Sequence, residues 1–140
     1  MTDATNSYLN RPVVHLSAAG VIGLAVVTIC NVTWALARGL PISTLWDAAT
    51  PVQVLLAAFP YIVLALLGIR TRRSWVVGLV LTTAFWGFYL FTTLQSYGGG
   101  ANIGLGLLMM LSPLVILAAS LLAPLSLARG QRGDNIIADY

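Results

Sequence analysis

The chain contains neither lysine nor glutamate: its seven basic residues are all arginine and its four acidic residues all aspartate. It has one cysteine, Cys30, and one histidine, His15. A lone cysteine excludes an intramolecular disulfide. A lone histidine excludes a haem or metal site ligated by two histidines of the same chain. Charged residues make up 8% of the 140 residues, against roughly 25% in an ordinary soluble domain. Scarcity of charge on this scale suits lipid as the solvent. The net charge of +3 does not point to nucleic acid, because the arginines flank apolar runs rather than forming a stripe.

Four apolar runs fill most of the sequence, at about residues 13–36, 51–69, 75–94 and 103–128. A helix needs about 20 apolar residues to cross the ~30 Å hydrocarbon core of a bilayer. The runs are continuous rather than alternating, which fits helices and not strands. The expected fold is an all-α membrane protein: a bundle of four transmembrane helices, antiparallel up-down neighbours, spanning 13–128. Residues 1–12 and 129–140 form short tails.

Arginine placement predicts the threading. Arg11, Arg70, Arg72, Arg73, Arg129 and Arg132 fall on one side of a four-span chain, and Arg38 alone on the other. The bias toward arginine in cytoplasmic loops puts both termini in the cytoplasm, with a bacterial inner or plasma membrane as the expected location. Ala35-Leu36-Ala37 has a small-x-small cleavage pattern, but the apolar run before it is too long for a signal peptide.

Local signals agree with the runs. Thr50-Pro51-Val52-Gln53 reads as a helix start, with Thr50 as cap and Gln53 reaching back to it. Ser74 and Asn102 are the expected caps of the third and fourth helices. Arg70-Thr71-Arg72-Arg73 predicts a tight hairpin that makes the second and third helices neighbours, and Gly98-Gly99-Gly100 a flexible turn. Pro60 and Pro113 lie inside runs and predict kinks whose freed carbonyls find other donors. The loop 39–49 predicts a short helical turn with Trp46 as interfacial anchor, a role also expected of Trp34 and Trp75.

Each run carries a small or polar stripe at helical spacing. The stripes are Ser17, Gly20, Thr28, Asn31, Ala35 and Arg38; Gln53, Ala57, Pro60, Tyr61 and Gly68; Gly78, Thr82, Trp86, Tyr89, Thr93 and Ser96; and Asn102, Gly106, Met109, Pro113 and Ser120. Small residues let membrane helices approach and polar ones bond across them, so these stripes are the expected interior. Asn31, Arg38, Asp47, Gln53, Tyr89, Thr93 and Asn102 gather toward the outer end. They form either an outward polar cavity with Arg38 facing an anion or headgroup, or an interhelical hydrogen-bond cluster. Phe85, Trp86 and Tyr89 are candidate contacts for a hydrophobic ligand or, more simply, core.

No apolar run carries Asp, Glu or Lys, and no nucleophile-base set converges. The glycine-rich stretch from Gly98 to Gly106 lacks the lysine and strand context of a phosphate loop. The expectation is a non-catalytic protein with no metal or cofactor, an accessory or assembly subunit or a homo-oligomer. Its expected partners are the bilayer, other membrane subunits or itself. The alternative is a small uncoupled transporter or channel, or a lipid or hydrophobic-ligand binder.

Overall fold

In the computed structural model, which describes residues 12–45, 47, 49–95 and 103–124, Pro12 opens helix α1 (Pro12–Arg38). Proline suits this position because its missing N–H has no helical partner there. A single 3-10 turn (Ile42–Leu45) follows, within the loop where a short helical turn was expected. Helices α2 (Thr50–Leu66), α3 (Arg72–Gln95) and α4 (Ile103–Leu122) complete an all-helical fold, with no strand among the described residues. Three of the four, α1, α3 and α4, are long and apolar enough to cross a membrane.

Helix α2 is shorter than its run. It has 17 residues, about 25 Å at 1.5 Å per residue, where the sequence predicts helix through residue 69. Gly68 is the reason: its φ is +70°, a left-handed conformation that glycine adopts without strain. The Gly68 N–H bonds to the Ala65 carbonyl at 3.1 Å and Ile69 N–H to Leu64 at 2.9 Å, a Schellman ending that satisfies carbonyls the helix leaves open. Gly39 (φ +65°) ends α1 in the same way. Helix α4 ends at Leu122, inside its apolar run, whose last residues lie outside the described ones. Pro124 disfavours helical backbone at the residue before it and has no N–H to offer.

Capping differs from expectation. Thr50 is the first residue of α2 and its N-cap position is Ala49; the side chain that serves this helix start is that of Asp47. Asp47 Oδ1 accepts from the Ala49 and Thr50 N–H groups, both at 3.0 Å. Thr50 Oγ1 lies 2.7 Å from the Leu45 carbonyl and 3.0 Å from Asp47 Oδ1, so the threonine hydroxyl ties the cap to the 3-10 turn. A carboxylate is the stronger acceptor at a helix start, where the macrodipole is positive. Ser74 is likewise buried in the first turn of α3 and not its cap; Thr71, just before the helix, bonds to it (Oγ1–Oγ 2.8 Å). Asn102, Ser96, Trp46 and the glycine turn at Gly98 to Gly100 lie outside the described residues.

Around the bundle the helices follow the order α1, α2, α4, α3. The hairpin does not make α2 and α3 side-by-side neighbours. They face each other across the centre, while α1 and α3, like α2 and α4, run parallel as neighbours. Tyr61 is where α2 and α3 meet. Its ring stands between α2 and α3, 3.2 Å from where a Cβ on Gly78 would lie, and its hydroxyl meets Thr82 Oγ1 at 2.8 Å. Both residues are fully buried.

The shortest helix is the most enclosed. Seven residues of α2 are buried, against four in the longer α3, so α2 is the element around which the others pack. Where α1 meets it, Gly23 allows near-contact of backbones: a Cβ there would lie 2.7 Å from Ala58 Cβ and 2.8 Å from the Val54 carbonyl oxygen. The buried face of α1 is accordingly Ala19, Gly23, Val27, Cys30 and Ala35. Of the stripe expected there only Ala35 is buried and Asn31 half-buried, since Ser17, Gly20, Thr28 and Arg38 are exposed. On α3 the expected stripe holds, with Gly78, Thr82 and Trp86 buried four residues apart and Ser74 extending it. On α4, Pro113 and Ser120 are buried but Gly106 is exposed.

In α4 the carbonyl that a proline frees finds another donor, as expected. Pro113 leaves the Met109 carbonyl without its helical donor, and Ser112 Oγ donates to that oxygen at 3.1 Å. The helix continues through the proline.

Candidate functional site

The polar residues singled out in the sequence lie at the end of the bundle where α1 and α3 finish and α2 begins. The helix ends themselves explain much of their placement. The last four carbonyls of a helix lack intrahelical donors. Arg38, in the final turn of α1, donates from Nη2 to the Thr93 carbonyl at 3.0 Å and the Leu94 carbonyl at 3.4 Å. One helix thus supplies a cation to the negative end of its parallel neighbour.

Below this, Asn31 Nδ2 donates to Gln53 Oε1 at 3.2 Å. Gln53 therefore ties α2 to α1 and does not reach back to its own helix start. Thr93 Oγ1 lies 3.0 Å from the Tyr89 carbonyl and 2.9 Å from that of Leu90, so its hydroxyl proton stays within α3. Asp47 is the α2 cap already described. The structure thus brings the candidates to one end but gives each a separate local task. Of the set, Asn102 lies outside the described residues.

One turn deeper is an aromatic cluster. Trp86, 2% exposed, packs with Val27, Cys30 and Ala57 from α1 and α2. Its ring centroid lies 5.9 Å from Phe85 and 5.5 Å from Tyr89, both edge-on, the arrangement that aromatic quadrupoles favour. The Cys30 thiol donates to the Trp86 carbonyl at 3.7 Å. Phe85, Trp86 and Tyr89 are core or core-flanking in this arrangement.

Two features escaped the sequence reading as sites. The first is the junction of Tyr61, Gly78, Thr82 and Ser120, where three helices meet. Its members sit on three different predicted stripes, and only their convergence in space reveals it. Ser120 Oγ donates to the Ile116 carbonyl at 2.7 Å and lies 2.9 Å from a Cβ built on Gly78. The second is at the hairpin end. Trp75 was expected to face the membrane interface, yet its indole turns to the hairpin and donates to the Ile69 carbonyl at 2.9 Å. Its ring meets those of His15 at 5.7 Å and Tyr61 at 5.6 Å.

Every buried side-chain nitrogen or oxygen among the described residues has a partner. Among the same residues, no three of His, Cys, Asp and Glu come together as a metal site would need. No protein-family model, curated protein or solved structure matches the chain.

Proposed function

We propose that the chain is a small non-catalytic integral membrane protein that acts by contact, as an accessory or assembly subunit of a larger complex or as a homo-oligomer. One observation carries this reading. The polar groups that could have formed a reactive or transporting site are engaged in structural bonds: Asn31 with Gln53, Arg38 with the end of α3 and Tyr61 with Thr82 between helices, and Asp47 with the start of α2. Such bonds fix the relative positions of helices in lipid. Large apolar side chains face outward, including Val21, Ile29, Leu55, Phe91 and Met110, a surface for lipid and for other membrane helices. The arginine bias supports a topology with both termini cytoplasmic, in a bacterial inner or plasma membrane.

The test is purification in mild detergent or native-lipid nanodiscs, followed by intact-complex mass measurement. The reading expects a second membrane protein at fixed stoichiometry, or a defined homo-oligomer. A monodisperse monomer in both settings defeats it.

A further inference from the structure

We propose that the hairpin between α2 and α3 is a binding surface for anionic phospholipid, with Arg72 and Arg73 holding the headgroup phosphate. The inference goes beyond the function proposed above and shares with it only insertion in a membrane.

Three observations meet here. First, Arg72 and Arg73 are the first two residues of α3, and both are exposed. A helix start carries roughly half a positive charge, so cations there are set against the macrodipole. Arg70, two residues earlier and also exposed, adds a third positive charge. An anion at the start of α3 would meet the Arg72 and Arg73 guanidinium groups and the helix end together. Guanidinium pairs with phosphate through two parallel hydrogen bonds.

Second, the hairpin is held in shape. The Gly68 turn, the Trp75 indole on the Ile69 carbonyl and the Thr71–Ser74 bond fasten it at successive points. Little ordering is then needed when a ligand binds.

Third, the surface just behind the arginines is apolar. Leu66 and Leu67 at the end of α2 are 70% and 60% exposed, and Val76 and Val80 on α3 are 48% and 60% exposed. Cationic groups next to exposed aliphatic side chains match a molecule with a phosphate and acyl chains. A free phosphate would use only half of this surface.

The experiment uses the full chain in nanodiscs of mixed phosphatidylglycerol and phosphatidylcholine, with retained lipid counted by native mass spectrometry. The expected result is preferential retention of phosphatidylglycerol. Each juxtamembrane arginine contributes about fivefold to anionic-lipid affinity, so Arg72→Gln with Arg73→Gln should cut the preference on the order of 25-fold. Lysine at both positions should restore part of it, because lysine keeps the charge but not the paired hydrogen bonds. Equal retention of the two lipids by the native chain overturns the proposal, and so does a preference that survives the double glutamine change. Should that variant fail to insert, a salt titration of the native chain decides instead: the preference must fall as salt rises, and a salt-insensitive preference overturns it. Added inorganic phosphate should leave the lipid in place, and displacement by it would show that the site takes the bare anion and not lipid. A chain that stays in solution without detergent would defeat the membrane reading itself, an outcome separate from all of these.

Discussion

The closeness of α1 and α2 at Gly23 makes the most direct quantitative prediction. A Cβ at position 23 would sit 2.7 Å from Ala58 Cβ, 2.8 Å from the Val54 oxygen and 3.0 Å from Ala58 N. Two of these atoms are backbone, so no rotamer change relieves the contact and the helices must part by about 0.7 Å. Overpacking of this kind costs about 1–3 kcal/mol. Alanine also favours helix over glycine by about 1 kcal/mol, which would obscure the effect in a single variant. Gly20 supplies the control, because it lies on the same helix with nothing within 4 Å of its would-be Cβ. Comparing Gly23→Ala with Gly20→Ala cancels the backbone preference and leaves the packing term. Reversible unfolding in mixed detergent should place Gly23→Ala about 1–3 kcal/mol below Gly20→Ala. The Asn31–Gln53 bond further along the same seam should weaken with it. Equal stability of the two variants, or a more stable Gly23→Ala, would refute the α1–α2 contact as described.

Other substitutions test the remaining joints. Tyr61→Phe removes the buried hydroxyl that meets Thr82 and should lower stability by about 0.5–2 kcal/mol; a double-mutant cycle with Thr82→Val isolates the pair, and a coupling of zero contradicts it. Asp47→Ala deletes the α2 cap and should cost about 1 kcal/mol, whereas Asp47→Asn should keep most of it; thermal unfolding of both variants reads the difference. Arg38→Ala strips two carbonyls of their donor and should destabilise the end of α3 by about 0.3–1 kcal/mol, seen as faster amide exchange near Leu94. The same variant should leave copurified lipid unchanged, and a loss of bound lipid would favour the outward-cavity reading instead.

Much of the secondary structure was legible because composition and length leave few alternatives for long apolar runs. The α3 interior was legible as well: Gly78, Thr82 and Trp86 repeat every four residues, and the helix buries that face, although Ser74, read as the cap, turned out to extend it. The α1 interior was harder to read. Ser17 and Thr28 look like interior positions by polarity, yet small apolar residues won the interface because α1 approaches α2 at near-backbone contact through Gly23. The ends of α1 and α2 carried a signal that polarity missed, a glycine just beyond the last apolar turn. The candidate site was legible as a set of polar residues at one end. Its internal pairing was not, since Gln53 and Asp47 each had several partners within reach on paper.

From its sequence alone this chain is committed to helices in an apolar solvent, because it has too few charges to face water and runs too continuous for strands. Which helices touch was settled only in three dimensions. A short hairpin brings two helix ends together but does not dictate adjacency along their length. Tyr61 joins α2 to α3 at Gly78 and Thr82, while Gly23 lets α1 approach α2 closely. The sizes of a few side chains, acting between segments far apart in the chain, set the order of the bundle.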